Sequence, residues 1–287
     1  MVEVVPRSVI LKLFARLCAS LTLVLFVSAC ADGDEGEVSG MPAKPTPEVG
    51  GKISVFAAAS LTEAFQEVAK AFQGRYPGAA VEFNFAGSPT LRTQIEQGAR
   101  ADVFASADEA QMEQAKRSGV VIEPVSLFAL NKLVIITPAS NPAGLGSAAD
   151  LAKPRLKLVL ANASVPAGAY SRQALTSLEQ APAYGSGFAG RVLANLVSAE
   201  SNVKQVVAKV ELGEADAGIV YRTDVTQSVA PKLKTIDIPD EHSVIARYPI
   251  ALANDGANPR TARAFIDFVL SNEGQAILER YGFLGPS

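Results

Sequence analysis

Four segments of the chain carry hydroxyls or small residues at points where an apolar run gives way to a helical pattern. Ser60 follows VFAAA and opens SLTE, Ser88 opens SPTL, VPAG spans Val165–Gly168, and Ser201 and Asn202 open SNVKQ. The first N–H groups of a helix have no acceptor within it, and the helix dipole favours negative charge there. Taken singly, each junction is a cap: Ser60 with Glu63 has capping-box spacing, Pro89 suits the first helical position, and Asn202 with Gln205 repeats the box. Several such termini facing one crevice would hold a small oxyanion with neutral dipoles. Each hydrogen bond to a charged group contributes about 1.5–3 kcal/mol, so five or more could offset desolvation of a dianion without any arginine or lysine.

Other candidate groups are weaker. His242 in PDEHSV is the sole histidine. A Ser-His-Asp hydrolase would have to use it, yet the chain has no GxSxG elbow. A lone histidine with no cysteines is a poor metal site, so His242 is expected to be a solvent-exposed or linker residue. Asp102/Asp108 and Asp237/Asp240 lack the paired logic of general acid–base work and read as caps and turn formers. Asp108 in SADEAQ is expected to cap only. GSGFAG (Gly185–Gly190) matches GxGxxG but follows no buried strand, so it reads as a loop entering a helix. GLGSAA fails likewise, with Ser147 capping the next helix.

The elements that must position these groups alternate strand and helix. KISVFAAA, AAVEFNFA, ADVFASA, LFALNKLVIITP, LKLVLANAS, DAGIVYRTD, LKTIDIP and RYPIALAND read as strands. Between them lie helical patterns such as LTEAFQEVAKAFQGRY, where Leu61, Ala64, Phe65, Val68 and Phe72 share one face. Residues 259–283 read as helical to the terminus. The pattern predicts an α/β fold with mixed, mostly parallel sheets and a ligand cleft between two lobes. A net charge of −3 with scattered basic residues gives no footprint for nucleic acid.

The first thirty residues differ from the rest. Arg7, Lys12 and Arg16 precede the apolar run LCASLTLVLFVSAC, which suits a secretory signal over residues 1–29. VSAC, ending at Cys30, resembles a bacterial lipobox, which implies cleavage and lipidation at Cys30. Two acyl chains would anchor the chain to the membrane surface. Cys18 would leave with the signal, so no disulfide and no catalytic or metal-binding cysteine is expected. Residues 30–51, acidic and rich in Gly and Pro, read as a flexible tether, with the fold starting near Lys52.

VFAAASL, AGSPTLRTQIEQGARADVFASAD, VPAGAYSRQAL and GEADAGIVYRTD together resemble the substrate-binding protein of the bacterial molybdate ABC transporter, in order and spacing from about Ile53 to Phe283. The resemblance implies a type II periplasmic-binding-protein fold, with residues 52–131 plus 240–287 in one lobe and 132–239 in the other. It implies an oxyanion held by Ser60, Ser88, the backbone amides of Ala167 and Val203, and the Tyr221 hydroxyl. Molybdenum would be held only as molybdate through these residues, with no direct metal ligand. Gly87 stands where the family often has serine, and Asn202 where it often has an acid. The expectation is an extracytoplasmic, lipid-anchored monomer, not an enzyme and without a cofactor. It would bind molybdate, with tungstate as a second ligand, and deliver it to a permease and its ATPase. The rivals are the same fold tuned to sulfate, thiosulfate or another tetrahedral oxyanion, and, more distantly, an extracytoplasmic hydrolase.

Overall fold

A computed structural model describes residues 49–286; the apolar leader, Cys30 and most of the tether lie outside the described residues. The fold begins slightly earlier than Lys52. Gly51 N donates to Gly78 O at 2.7 Å, and Gly50 O accepts from Asn258 Nδ2 and Thr261 Oγ1, each at 2.6 Å.

The first half of the fold is a run of βα units: β1 (Gly51–Ala58), α1 (Thr62–Arg75), β2 (Ala79–Ala86), α2 (Ser88–Glu96), β3 (Val103–Ala105) and α3 (Glu109–Arg117). The 18-residue β4 (Val121–Pro138) follows. A second run comprises β5 (Leu158–Ala161), α4 (Pro166–Glu179), α5 (Phe188–Leu193), β6 (Leu196–Glu200), α6 (Val203–Glu211) and β7 (Ala217–Tyr221). The chain closes with β8 (Leu233–Asp237), β9 (Ile245–Ala253), α7 (Pro259–Leu270) and α8 (Asn272–Arg280).

β1 pairs in parallel with β2 and β3, and β5 pairs in parallel with β6 and β7. Parallel pairing needs a long crossover, which each intervening helix supplies. The expectation of mostly parallel sheets therefore holds for the βα units and is amended at the centre. There β9 pairs antiparallel with β3 and β4, and β4 pairs antiparallel with β7 and β8. β4 lies against β9 from Val121 to Lys132 and against β7 and β8 from Leu133 onward, so one strand runs through both sheets. Its Leu133–Ile136 run is buried, as a strand covered on both faces requires.

α1 buries Ala64, Phe65, Val68, Ala69 and Phe72. Phe65 packs 5.5 Å from Phe128 of β4 and 6.0 Å from Phe265 of α7, which also lies edge-on to Phe72 at 5.4 Å. Such pairs add about 0.5–1.5 kcal/mol each beyond area burial. The terminal helix expected over residues 259–283 is broken at Ser271. That residue is extended at φ −70°, ψ 162°, and its hydroxyl accepts from Gly274 N, starting a new helix.

Candidate functional site

One cavity gathers the carboxyl ends of six strands. Ser60, Ser88 and Ala107 each stand two residues past the ends of β1, β2 and β3, and all three line it. From the other sheet come Ala167 after β5, Val203 after β6 and Tyr221, the last residue of β7. All five residues singled out from the sequence thus share one lining, and all five are buried. The remaining wall is small and largely apolar, including Ala58, Ala59, Ala86 and Pro166, and no lining residue is charged. No group of three or more His, Cys, Asp or Glu that could hold a metal ion occurs among the described residues.

The backbone donors come from helix starts. Ser88 is the first residue of α2, Val203 the first of α6, and Ala167 the second of α4. Their N–H groups fall in first turns, where the helix offers no acceptor. Gly168 explains how α4 is brought up to the end of β5. A Cβ there would lie 2.1 Å from Asn162 O and 2.3 Å from Ala161 O, so only glycine lets the helix start approach so closely.

Two capping expectations are corrected. Ser60 lies in a short 3₁₀ turn, Ala59–Leu61, and the N-cap of α1 is Leu61, so Ser60 and Glu63 form no box. Glu63 instead accepts from Lys204 Nζ of α6 at 2.8 and 2.9 Å. Asn202 does cap α6, accepting from Gln205 N at 3.2 Å. The Gln205 side chain, however, accepts from Ser201 N and Oγ, because these precede the cap and face it directly.

The three hydroxyls have distinct surroundings. Ser88 Oγ accepts from Ala107 N at 3.1 Å, which leaves its own proton free. Ser60 Oγ lies 3.0 Å from Tyr248 Oη. Tyr221 Oη has no hydrogen-bond partner among the described residues, although the residue is fully buried. A buried hydroxyl without a partner costs free energy, so this one marks a place where a partner is wanted. Burial pushes the Tyr221 hydroxyl well above its ordinary titration range, which keeps it a neutral O–H donor.

Behind Tyr221 lies Asp224, whose Oδ2 accepts from Tyr221 N at 3.1 Å. Lys204 Nζ stands 3.6 Å from Asp224 Oδ1. Burial raises the Asp224 carboxyl to about 6, against the opposing pull of Lys204 and the Tyr221 N–H.

The other sequence candidates lie elsewhere. His242 lies in the connection between β8 and β9, as a linker residue, and is half-buried, with Nδ1 3.1 Å from Ser177 Oγ of α4 and its ring edge-on to Tyr184. Neither partner lines the cavity. Asp108 caps α3 as expected, accepting from Gln111 N. Asp102 ties two segments together, accepting from Ser54 N and Asn258 N at 2.7 Å each. Asp237 and Asp240 are ion-paired with Arg222 and Lys132 rather than shaping turns alone. GSGFAG leads into α5 through Gly187 at φ 73°, with no phosphate-cradling strand before it. Tyr248, Asn131 and Lys204 were not singled out from the sequence. Their importance arises from contacts across 188, 117 and 141 positions, which no local pattern announces.

Residues 53–284 match the family model of bacterial extracellular solute-binding proteins. The molybdate-binding protein ModA of Mycobacterium tuberculosis is 39% identical over 267 residues, covering 93% of this chain and 96% of its own. YvgL of Bacillus subtilis, a putative ABC transporter substrate-binding lipoprotein, is 30% identical over 95% of this chain and 98% of its own. The periplasmic molybdate-binding protein of Azotobacter vinelandii superposes with a TM-score of 0.71 at 22% identity, covering 82% of this chain and all of its own, which establishes the periplasmic-binding-protein fold.

Proposed function

The chain belongs to the bacterial extracellular solute-binding protein family, and we propose that it captures molybdate outside the cytoplasm and delivers it to an ABC transporter permease and its ATPase. The observation that carries the reading is the convergence of first-turn N–H groups and three hydroxyls on one cavity whose lining holds no charge. Such a lining offers donors and dipole ends, which suit an anion that brings only acceptors. Ser60 and Ser88 would contribute hydroxyl and amide, Ala167 and Val203 their amides, and Tyr221 its hydroxyl. Tungstate, of the same shape and charge, is expected to bind as well. Sulfate presents similar acceptors on a smaller tetrahedron, so a cavity shaped for molybdate would hold it with longer, weaker bonds.

We assign residues 52–131 with 240–287 to one lobe and 132–239 to the other. β4 and β9 are then the crossing strands about which the lobes close. Closure over the anion would form the surface that the permease reads. Lipidation at Cys30, with residues 31–51 as the expected tether, would hold the protein as a monomer on the extracytoplasmic side of the membrane; the lipoprotein relative in Bacillus subtilis is in keeping with this. The protein acts in this reading as a receptor, not an enzyme. The Ser177–His242 contact lies off the cavity.

The test is the pair Ser60→Ala, Ser88→Ala. Loss of molybdate binding in calorimetry with an unchanged melting temperature is expected. Wild-type affinity in the double variant would remove the site.

A further inference from the structure

The Ser60 hydroxyl can serve an anion only if its proton faces the cavity. The hydrogen bonds behind it decide this. Asn131 on β4 has Oδ1 accepting from Lys132 N at 2.9 Å, which fixes the amide orientation. Its Nδ2 therefore holds both protons, donated to Thr223 Oγ1 at 2.8 Å and to Tyr248 Oη at 3.4 Å. Tyr248 Oη accepts from Asn131 and so keeps its own proton for donation, and Ser60 Oγ lies 3.0 Å away in a contact where either hydroxyl can donate. With Tyr248 as the donor, Ser60 Oγ is an acceptor on its rear side and its own proton points forward.

The relay is held rigidly. Asn131 and Tyr248 are both 0% exposed. The Tyr248 ring is met edge-on by Phe128 at 6.2 Å, Phe283 at 5.5 Å and Tyr221 at 5.7 Å, so the hydroxyl oxygen cannot wander. Burial holds the Tyr248 hydroxyl far above its ordinary range, so the proton that it donates stays in place. The chain of contacts starts at Thr223, just past β7 in one sheet. It passes through the crossing strands β4 and β9 and ends at Ser60, just past β1 in the other sheet.

We infer that Tyr248 and Asn131 are positioning residues that make Ser60 an obligate hydrogen-bond donor to the oxyanion. The inference rests on the oxyanion reading proposed above. Without Asn131, the Ser60 rotor could turn its proton rearward to Tyr248 and present lone pairs to an anion; without the Tyr248 hydroxyl, Ser60 Oγ loses the rear donor that orients its proton and polarises it toward the anion.

A double-mutant cycle tests this on the purified full chain, with molybdate, tungstate and sulfate as probes in calorimetry and with ligand-free melting temperature recorded in parallel. In the wild-type background, Tyr248→Phe is expected to weaken molybdate binding about tenfold, as loss of one well-made hydrogen bond to a charged partner does. In the Ser60→Ala background the same substitution is expected to change affinity less than about twofold, because the group through which it acts is gone. If Tyr248→Phe folds poorly, Asn131→Leu enters the same cycle with the same expectation. Equal losses in both backgrounds, or no loss in either, would overturn the relay while leaving the oxyanion site standing. A wild-type protein that binds none of the three probes would overturn the proposed function, and the relay with it.

Discussion

Gly87 lies so close to Ser201 that a Cβ on Gly87 would stand 2.3 Å from the Ser201 carbonyl oxygen. Gly87 precedes the start of α2, and Ser201 precedes the start of α6, so this contact joins two of the helix termini that line the cavity. Its φ of −63° is ordinary, so glycine is required here for space and not for conformation. Gly87→Ser is expected to prop the two termini apart, to weaken molybdate binding about tenfold or more and to lower the ligand-free melting temperature. Calorimetry and thermal melts on the same preparation check both parts.

Tyr221→Phe separates binding from folding. The hydroxyl removed has no hydrogen-bond partner among the described residues, so the ligand-free protein is expected to be as stable as the wild type or slightly more stable. Molybdate affinity is expected to fall about tenfold, as one charge-assisted hydrogen bond is lost. A Phe variant that melts lower would show that the hydroxyl has a structural partner.

Asp224 gives the fold a pH dependence. In the unfolded chain its carboxyl titrates near 3.9, whereas in the fold it titrates at about 6. Between those values the native state binds more protons than the unfolded state, so this group makes stability fall as pH rises. Asp224→Asn carries no charge at any pH. Its melting temperature relative to the wild type is therefore expected to climb from about pH 4 to about pH 7 and then level off. Lys204→Met, which removes the cation 3.6 Å away, is expected to destabilise most above about pH 6, where Asp224 must ionise without its partner. A difference that stays constant across this range would contradict the assignment.

Gly168→Ala tests how the α4 amide is placed. The added Cβ would meet two carbonyl oxygens at 2.1 and 2.3 Å, and neither is the end of a flexible side chain. A loss of about 1–3 kcal/mol in unfolding free energy is expected, with weaker anion binding because Ala167 shifts along with the helix.

Much of the fold could be read locally. Alternating apolar runs and 3.6-residue spacing locate most strands and helices, and the segment around Ser88 and Pro89 marks the start of α2. The helix starts at Ser88, VPAG and SNVKQ were legible as strand-to-helix junctions, but the choice of Ser60, Ser88, Ala167, Val203 and Tyr221 as one ligand set rests on the resemblance to the molybdate-binding family, since no local pattern marks a buried tyrosine or a single amide as a ligand. Where reading failed, distance in sequence was the cause. Glu63 has the spacing of a capping partner, but Lys204, 141 positions away, offers a full charge instead. Tyr248 reads as strand core, and only the folded arrangement puts its hydroxyl behind Ser60. The break at Ser271 was missed because the apolar periodicity continues across it, while the cap is a single hydroxyl bond.

The most direct test is calorimetric titration of the wild-type protein with molybdate, tungstate, sulfate and phosphate; heat is the apt signal because the chain has no tryptophan. Tight one-to-one binding of molybdate and tungstate is expected, with sulfate and phosphate weaker by orders of magnitude. Tight sulfate or phosphate binding with no heat from molybdate would contradict the proposed ligand.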